Sequence, residues 1–317
     1  MVTEAPVRSA LEGAIRAQQF AVTCEVTPPR GADAGPALRK ARALADWAVG
    51  INFTDNPSAL VRMSSWGASV ALMREGIEPI CQMTCRDRNR IALQSDLLGA
   101  AAAGIPNVLL LTGDFIRFGD NPDAREVYDF DSIQLIWLAA TMRNEGRLYS
   151  GHEMRARPNW FIGAVENPFA PPIAFRARRL AKKVAAGAEF VQTQFTFDLA
   201  IFETFMHELV ELGVTEHCAV LAGLGPIRSL RMLEHMRHDL PGVVVPDDVA
   251  KRISTAANVE EEAVELCAET IAHVRAIPGV AGVHVMAYGF EEAVPDILAR
   301  AGLEPHTVDG INRGETA

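Results

Sequence analysis

Carboxyl and amide side chains stand where apolar segments of this chain end, and these residue types can transfer protons and bind a polar ligand. Glu25 lies near the end of the apolar run FAVTCEV, and prolines follow at positions 28 and 29. A carboxyl group in this position can act as a general acid or base. Asp114 follows the segment LLLTG and either faces a ligand or caps the next turn. Gln194 lies in QTQFTFD, and its amide can donate and accept hydrogen bonds at the edge of a flat heterocycle such as a pterin.

Two further segments could bind a ligand, although each also has a purely structural interpretation. TCRDRNR places three arginines after an apolar run, where they could hold a phosphate or carboxylate group or form the solvated first turn of a helix near Asn89. The long segment 114–132 could cover a ligand, and its Tyr128 could stack on a flat ring or pack against the protein. His284 could face the interior of the protein, but a structural histidine is the simpler interpretation.

Composition limits the classes of partner. The chain has 317 residues and a net charge of −10 without a basic block, so neither nucleic acid nor a membrane surface is an expected partner. No apolar segment is long enough to cross a bilayer, and no signal peptide is predicted. The five cysteines are odd in number and scattered, which favours reduced thiols and a cytoplasmic location. The Cys81 and Cys85 pair lacks the further ligands of a zinc site, so no metal site is predicted.

The elements that must position these residues alternate between short apolar runs and longer amphipathic stretches. The apolar runs predict eight strands, at residues 20–26, 50–54, 78–84, 107–113, 160–166, 190–195, 218–224 and 282–288. Continuous apolar runs suit parallel strands covered on both faces, and the stretches between them have helical spacing. A helix after Asp198 that ends at Gly213 is one example. The pattern predicts an α/β protein with the (β/α)8 TIM barrel fold.

The domain prediction is one catalytic barrel over residues 1–317. Residues 1–18 form an N-terminal helical extension in this prediction, and residues 305–317 form a flexible tail. A doubly wound open sheet is the main alternative, but no G-x-G-x-x-G motif follows the first strand. In a barrel, functional groups gather at the carboxyl ends of the strands. The polar residues expected at that rim are Glu25, Thr54, Asp55, Gln82, Asp87, Thr112, Gly113, Asp114, Glu166, Asn167, Gln194 and Tyr288.

Six motifs in this order resemble the methylenetetrahydrofolate reductase family, in its short bacterial form. They are CEVTPPRG, NFTDNPSA, QMTCRDRN, NVLLLTGD, KKVAAGAEFVQTQF and LAGLGPI, and the resemblance extends from about residue 20 to 300. It implies a barrel that holds FAD non-covalently and an oxidoreductase of one-carbon metabolism and methionine biosynthesis. NAD(P)H, as co-substrate, reduces the flavin, which passes the hydride to 5,10-methylenetetrahydrofolate and yields 5-methyltetrahydrofolate. A homo-oligomer is expected, and a partner subunit is possible.

The resemblance also implies roles for individual residues. Glu25 matches the general acid that protonates a folate nitrogen as the five-membered ring opens, and apolar neighbours such as Val22 and Val26 would favour its neutral form. Asp114 matches a catalytic aspartate beside the flavin and the pterin, while Gln194 and Leu230 match folate-binding positions. The positions that match flavin contacts are Thr54, Gln82, Asp87, Thr112, Gly113, Asp114, Tyr128, Asn167 and Lys183.

Several positions depart from the family pattern. Thr112 stands where an arginine is common, Gln82 where a histidine is common, and Leu230 where an aromatic residue is common. The family's Y-T-L-N-R tail after the last strand is replaced by VMAYGF. These departures affect cofactor and nicotinamide contacts without touching Glu25, Asp114 or Gln194. The alternatives are a flavin-free reductase of the same fold and a pterin-binding methyltransferase barrel that passes the methyl group to a corrinoid partner. A third, a non-catalytic subunit of a partner reductase, is disfavoured because both Glu25 and Asp114 are present.

Overall fold

Eight parallel strands close into a barrel in the computed structural model, which describes residues 6–240 and 242–306. The strands are β1 Ala21–Val26, β2 Gly50–Phe53, β3 Pro79–Thr84, β4 Asn107–Leu111, β5 Phe161–Glu166, β6 Phe190–Phe195, β7 Ala219–Leu224 and β8 Val280–Val285. Each strand pairs with the next, and β8 pairs with β1 through Ala21 opposite Gly282. The predicted TIM barrel is therefore confirmed. The eighth strand begins and ends earlier than predicted, so that Met286 and Tyr288 lie in the following loop.

Helices lie between the strands, as the amphipathic stretches predict. The α-helices of the described residues are α1 Ala10–Arg16, α2 Gly35–Leu44, α3 Ser65–Met73, α4 Arg90–Ala102, α5 Ser132–Glu145, α6 Arg176–Ala186, α7 Leu199–Glu211, α8 Leu230–His238, α9 Asp247–Ser254, α10 Val259–Arg275 and α11 Val294–Arg300. Asn89 caps α4 through its side chain, and Asp198 caps α7 by accepting from the Ile201 N–H. Gly213, with a φ of 67°, follows α7, as expected for a helix exit.

The barrel is closed at its amino-terminal end and polar at the other. Within the lower barrel, Phe161 stacks on Phe190 with ring centroids 5.0 Å apart, and Leu11 of α1 packs on the same cluster. The Glu78 carboxylate accepts hydrogen bonds from the Ala10 and Leu11 backbone N–H groups, which fixes α1 against this end. The interior is therefore open to a ligand from the carboxyl ends of the strands.

The predicted terminal segments are described only in part. Helix α1 lies within residues 1–18, for which a helical extension is predicted, and residues 1–5 lie outside the described residues. Of the tail predicted at 305–317, residues 307–317 also lie outside them. All five cysteines are free and buried. No helix in the described part of the chain is long and apolar enough to cross a membrane.

Candidate active site

A cavity of about 320 Å³ opens at the carboxyl ends of the strands, where the sequence places the polar rim. Its volume is within the range of small-molecule sites. Eight of the predicted site residues line it: Glu25, Gln82, Thr112, Gly113, Asp114, Asn167, Lys183 and Gln194. The remaining lining residues are Leu109, Leu111, Ser132, Val165, Glu166, Arg179, Gln192, Thr193, His284, Met286 and Tyr288. The fold therefore gathers residues from β1, β3, β4, β5, β6 and the segment after β8 around one space.

Glu25 faces this cavity among polar neighbours. Its Oε2 accepts a hydrogen bond of 3.0 Å from Gln82 Nε2, and it lies 3.7 Å from His284 Nε2. Because side chains alternate along a strand, Val22 and Val26 point to the opposite face of β1 and pack in the core with α2. The prediction that these two valines form apolar surroundings for Glu25 is therefore wrong. Its immediate partners are hydrogen-bonding groups.

A polar network lies just beneath Glu25 inside the barrel. Gln192 Nε2 donates to Thr23 Oγ1 at 3.1 Å and to Asn52 Oδ1 at 3.0 Å, and Asn52 Nδ2 donates back to Gln192 Oε1 at 2.6 Å. Thr23 Oγ1 lies 3.0 Å from His284 Nδ1. Thr23 Oγ1 also lies 3.4 Å from the Val283 carbonyl oxygen, which is a second acceptor for its hydroxyl proton. The other ring nitrogen of His284, Nε2, faces Glu25.

Asp114 lines the same cavity after β4, directly after Gly113. Gly113 has a φ of 96°, and an added Cβ would lie 3.0 Å from Thr84 Cβ, so the turn needs glycine. The Asp114 carboxylate accepts a hydrogen bond of 2.7 Å from the Ser58 backbone N–H. The hydroxyl of Tyr128 donates to the Asp114 carbonyl at 3.3 Å. Tyr128 therefore supports this turn from outside the cavity lining.

The arginines of TCRDRNR bind carboxylates of the chain itself. Arg86 forms an ion pair with Asp87 at 2.7 Å, and Arg88 forms one with the buried Asp55 at 2.6 Å. Arg90 pairs with Asp129, also at 2.6 Å. Arg86 is fully buried, so the segment is not simply a solvated helix turn. All three arginines already pair with carboxylates of the chain, so they do not form an open anion site. Asp87, a predicted flavin contact, does not line the cavity.

A group of cations surrounds Glu166 at the end of β5. Lys183 Nζ lies 2.8 Å from Glu166 Oε2 and also donates to the Val165 carbonyl. Arg179 and Arg176 approach Glu166 Oε1 at 3.3 and 3.7 Å. Burial lowers the pKa of Lys183, although the Glu166 charge opposes that change. Three cations around one carboxylate leave this wall of the cavity positively charged.

The remaining predicted residues lie in different environments. Gln194 follows an irregularity in the pairing of β6 with β7, and its Oε1 accepts from the Phe195 N–H at 2.9 Å. Asn167 donates through Nδ2 to the Gly242 carbonyl at 2.8 Å. Thr54 is buried outside the cavity, and its Oγ1 has no hydrogen-bond partner. Leu230, at the start of α8, is 48% exposed and does not line the cavity.

Three residues that line the cavity, His284, Gln192 and Arg179, are not among the site residues predicted from the sequence. His284 is only a weak candidate from the sequence, although its position one residue before the end of β8 faces the interior. Gln192 lies in QTQFTFD, where Gln194 is the preferred candidate because it is nearer the carboxyl end of the strand, and Arg179 carries no motif that would single it out. Period-2 alternation from Gln194 does predict that Gln192 shares its face. No pattern in the described residues brings three or more His, Cys, Asp or Glu side chains together as metal ligands.

Comparisons with known proteins agree with this fold. A family model described as methylenetetrahydrofolate reductase matches residues 10–302. A probable methylenetetrahydrofolate reductase (NADPH) from Caenorhabditis elegans is 25% identical over 307 residues, which are 90% of this chain and 42% of that protein. Methylenetetrahydrofolate reductase (NADH) 1 from Arabidopsis thaliana is 23% identical over 238 residues, 72% of this chain and 38% of that one. The chain thus spans about two fifths of the length of these relatives.

Solved structures show the same barrel in more distant proteins. An uncharacterized protein from Clostridium thermocellum, described as binding two copies of 5-methyl-5,6,7,8-tetrahydrofolic acid, superposes with a TM-score of 0.65 at 12% identity. That match covers 92% of this chain and 97% of the other. A long-chain alkane monooxygenase gives a TM-score of 0.52 at 10% identity, over 91% and 93% of the two chains. These likenesses concern the fold, whereas the family model extends over nearly the whole sequence. The chain belongs to the methylenetetrahydrofolate reductase family.

Proposed function

We propose that this barrel is an oxidoreductase that interconverts 5,10-methylenetetrahydrofolate and 5-methyltetrahydrofolate, with NAD(P)H as the hydride source. The observation that carries the proposal is the meeting of Glu25, Asp114 and Gln194 around one cavity. These residues come from strands far apart in sequence, yet their groups suit one substrate. A carboxyl can protonate a ring nitrogen, and a carboxylate with an amide can bind the donor and acceptor edge of a pterin.

Glu25 is the proton donor in this proposal. Its carboxyl protonates the folate nitrogen as the carbon–nitrogen bond of the five-membered ring breaks, and the resulting iminium carbon accepts a hydride. The transfer leaves a negative charge on Glu25. Gln82 Nε2 already donates to this carboxyl, and His284 Nε2 lies 3.7 Å from it. In this proposal His284 carries a proton on Nε2, so both groups stabilise the carboxylate that forms and lower the free energy of the step.

Asp114 and Gln194 bind and orient the pterin. The Asp114 carboxylate is held by one backbone N–H and keeps further acceptor positions for N–H groups of a ligand. The Gln194 carbonyl oxygen accepts from the Phe195 N–H, which leaves its amide N–H groups free to donate to a ligand. Two ligand-binding groups of opposite hydrogen-bonding character therefore line the cavity that contains Glu25.

The residues around the cavity fit a flavin dinucleotide. Arg176, Arg179 and Lys183 around the single carboxylate of Glu166 give a net positive wall that suits a diphosphate. Arg179 is the accessible member, with 34% of its side chain exposed. Gln82, Thr112, Gly113 and Asn167 would hold the ring system and the ribityl chain. When bound, FAD supplies a two-electron carrier between NAD(P)H and the one-carbon unit.

Separate measurement of the two half-reactions tests the proposal. Purified protein is mixed with NADH or NADPH while the flavin absorbance is followed, and the reduced protein is then mixed with methylenetetrahydrofolate. We expect bleaching in the first step and recovery of colour in the second. The Glu25→Gln variant should keep the first step within about twofold and lose about a thousandfold or more in the second, because an amide cannot donate the proton. Glu292→Gln, at an exposed carboxyl, is the matched control.

The possible outcomes separate the competing functions. An equal loss in both steps for Glu25→Gln contradicts the proton-donor role. A colourless protein that still reduces methylenetetrahydrofolate with NAD(P)H indicates the flavin-free alternative. Binding of 5-methyltetrahydrofolate without any hydride transfer indicates the methyltransferase alternative.

A further inference from the structure

Tyr288 occupies an unusual backbone conformation at the cavity mouth. It lies three residues after the end of β8, and its φ is 34°, followed by Gly289 at 78°. A bulky residue with positive φ is uncommon, because its Cβ approaches the backbone. Such a conformation persists where the surrounding structure holds it, and it is found preferentially at functional sites. The turn directs the tyrosine toward the cavity rather than toward solvent.

The ring of Tyr288 is supported from behind by two phenylalanines. Its centroid lies 5.8 Å from that of Phe195 in a tilted arrangement. Phe195 is fully buried and is itself stacked on Phe197, with centroids 5.6 Å apart and planes 7° apart. The tyrosine ring is therefore fixed in position before any ligand arrives. A fixed ring loses little conformational entropy when a second ring packs on it.

Among the described residues that line the cavity, Tyr288 and His284 are the two with an aromatic ring. His284 lies deep and is 2% exposed, whereas 42% of the Tyr288 surface is exposed. Leu230 and Tyr128 both lie outside the lining. A flat heterocycle that enters the cavity therefore finds its accessible aromatic surface on Tyr288.

The hydroxyl of Tyr288 interacts with the Glu25 carboxyl. Burial raises the pKa of Tyr288 well above its usual value, and the charges of Glu25 and Asp114, together with a hydrogen bond to Glu25, add to this effect. His284 lies on the same side as Glu25, and Arg228 lies near Gly289. The group therefore stays a neutral hydroxyl across the physiological range of pH. A neutral hydroxyl beside a carboxyl group can donate a hydrogen bond to it.

We propose that Tyr288 is a second functional residue of this cavity: its ring is the surface on which the pterin lies, and its hydroxyl positions Glu25 for proton transfer. This inference rests on the proposed function, since it names the residue that contacts the heterocycle. The contact between the Tyr288 ring and the pterin determines the affinity for folate. The hydroxyl contact acts through Glu25 and therefore affects the folate half-reaction alone.

Two variants separate the ring from the hydroxyl. Tyr288→Phe keeps the ring and removes the hydroxyl. Tyr288→Asn removes the ring, and asparagine tolerates the left-handed backbone, so this variant keeps the turn. Tyr149→Asn, at a tyrosine outside the cavity lining that is also about half exposed, is the matched control. Circular dichroism and thermal unfolding verify that each variant is folded.

The first measurement is the dissociation constant of 5-methyltetrahydrofolate by isothermal titration calorimetry. We expect Tyr288→Asn to raise it by about tenfold and Tyr288→Phe by less than about threefold, because stacking depends on the ring. A Tyr288→Asn value within twofold of the unmodified protein overturns the ring contact. If the unmodified protein itself does not bind 5-methyltetrahydrofolate, the proposed function fails instead, and the Tyr288 inference fails with it.

The second measurement is the pH profile of each half-reaction. Loss of the Tyr288 hydroxyl removes a group that holds the Glu25 carboxyl in position. We therefore expect Tyr288→Phe to slow the folate half-reaction by about tenfold at its pH optimum and to alter its pH profile, because Glu25 is less well positioned. Reduction by NAD(P)H should not change. A folate half-reaction with unchanged rate and pH profile overturns the role of the hydroxyl.

Discussion

Replacing Lys183 with methionine tests whether this cation supports the fold, the ligand or both. The Glu166 side chain has no exposed surface, and that of Lys183 is 2% exposed, with 2.8 Å between Nζ and Oε2. Breaking a buried ion pair from one side costs about 3–5 kcal/mol, because the remaining charge is left without its partner in a medium of low polarity. Arg179 and Arg176 remain near Glu166 Oε1, so we expect the lower end of this range.

The expected loss of about 3 kcal/mol in the free energy of unfolding lowers the midpoint of thermal unfolding by roughly 4–5 °C in a chain of 317 residues. Urea and thermal unfolding of Lys183→Met measure it. Lys182→Met removes the same charge from an exposed neighbouring position and should change stability by less than about 0.5 kcal/mol. The double variant Lys183→Met with Glu166→Gln removes both charges and should recover part of the loss.

Flavin affinity, measured by fluorescence on the same variants, separates the two roles. Binding should weaken by about tenfold in Lys183→Met, because one of three cations near the diphosphate is removed. A loss of stability below about 1 kcal/mol together with a collapse of flavin binding would refute the reasoning from the buried pair. It would show instead that Lys183 leaves Glu166 when ligand is present.

Two further predictions concern the network beneath Glu25 and an ion pair at the start of α4. Thr23→Val removes the hydroxyl that faces His284 Nδ1 and should slow the folate half-reaction by about tenfold in stopped-flow measurements, with reduction by NAD(P)H unchanged; equal slowing of both steps would contradict this. Arg90 lowers the pKa of Asp129 to about 2, so the pair stabilises the fold fully above pH 3.8, the ordinary value for aspartate, and the effect is lost as the pH falls toward 2. Arg90→Gln should return that pKa toward 3.8 in an NMR titration, and an unchanged value would contradict the assignment of its cause.

The sequence predicts the barrel well because its signals are local. Apolar runs of about six residues, separated by amphipathic stretches, identify all eight strands, and most boundaries agree within two residues. The exception is β8, which was predicted to extend to 288. Apolar Val285, Met286 and Ala287 continue the run, but the left-handed residues Tyr288 and Gly289 turn the chain away from the sheet. Hydropathy alone does not detect that turn.

The composition of the site is less predictable because its contacts join distant parts of the chain. Thr23 and His284 are 261 residues apart, and Gln82 and Glu25 are 57 apart. Local patterns identify Glu25 as a rim carboxyl but give no information on which side chains meet it. The alternation along β1 does predict that Val22 and Val26 face away from Glu25, so the sequence itself excludes these two valines as its neighbours.

The polar neighbours of Glu25 suit the charge that this residue carries after proton transfer under the proposed function. Gln82 Nε2 donates to the carboxyl at 3.0 Å, and His284 Nε2 lies 3.7 Å from it. When Glu25 gives its proton to the substrate, the negative charge that it gains therefore develops beside two polar groups. The Gln82 hydrogen bond also holds the carboxyl in place, so the same surroundings orient the acid and stabilise its conjugate base, which apolar neighbours could not do.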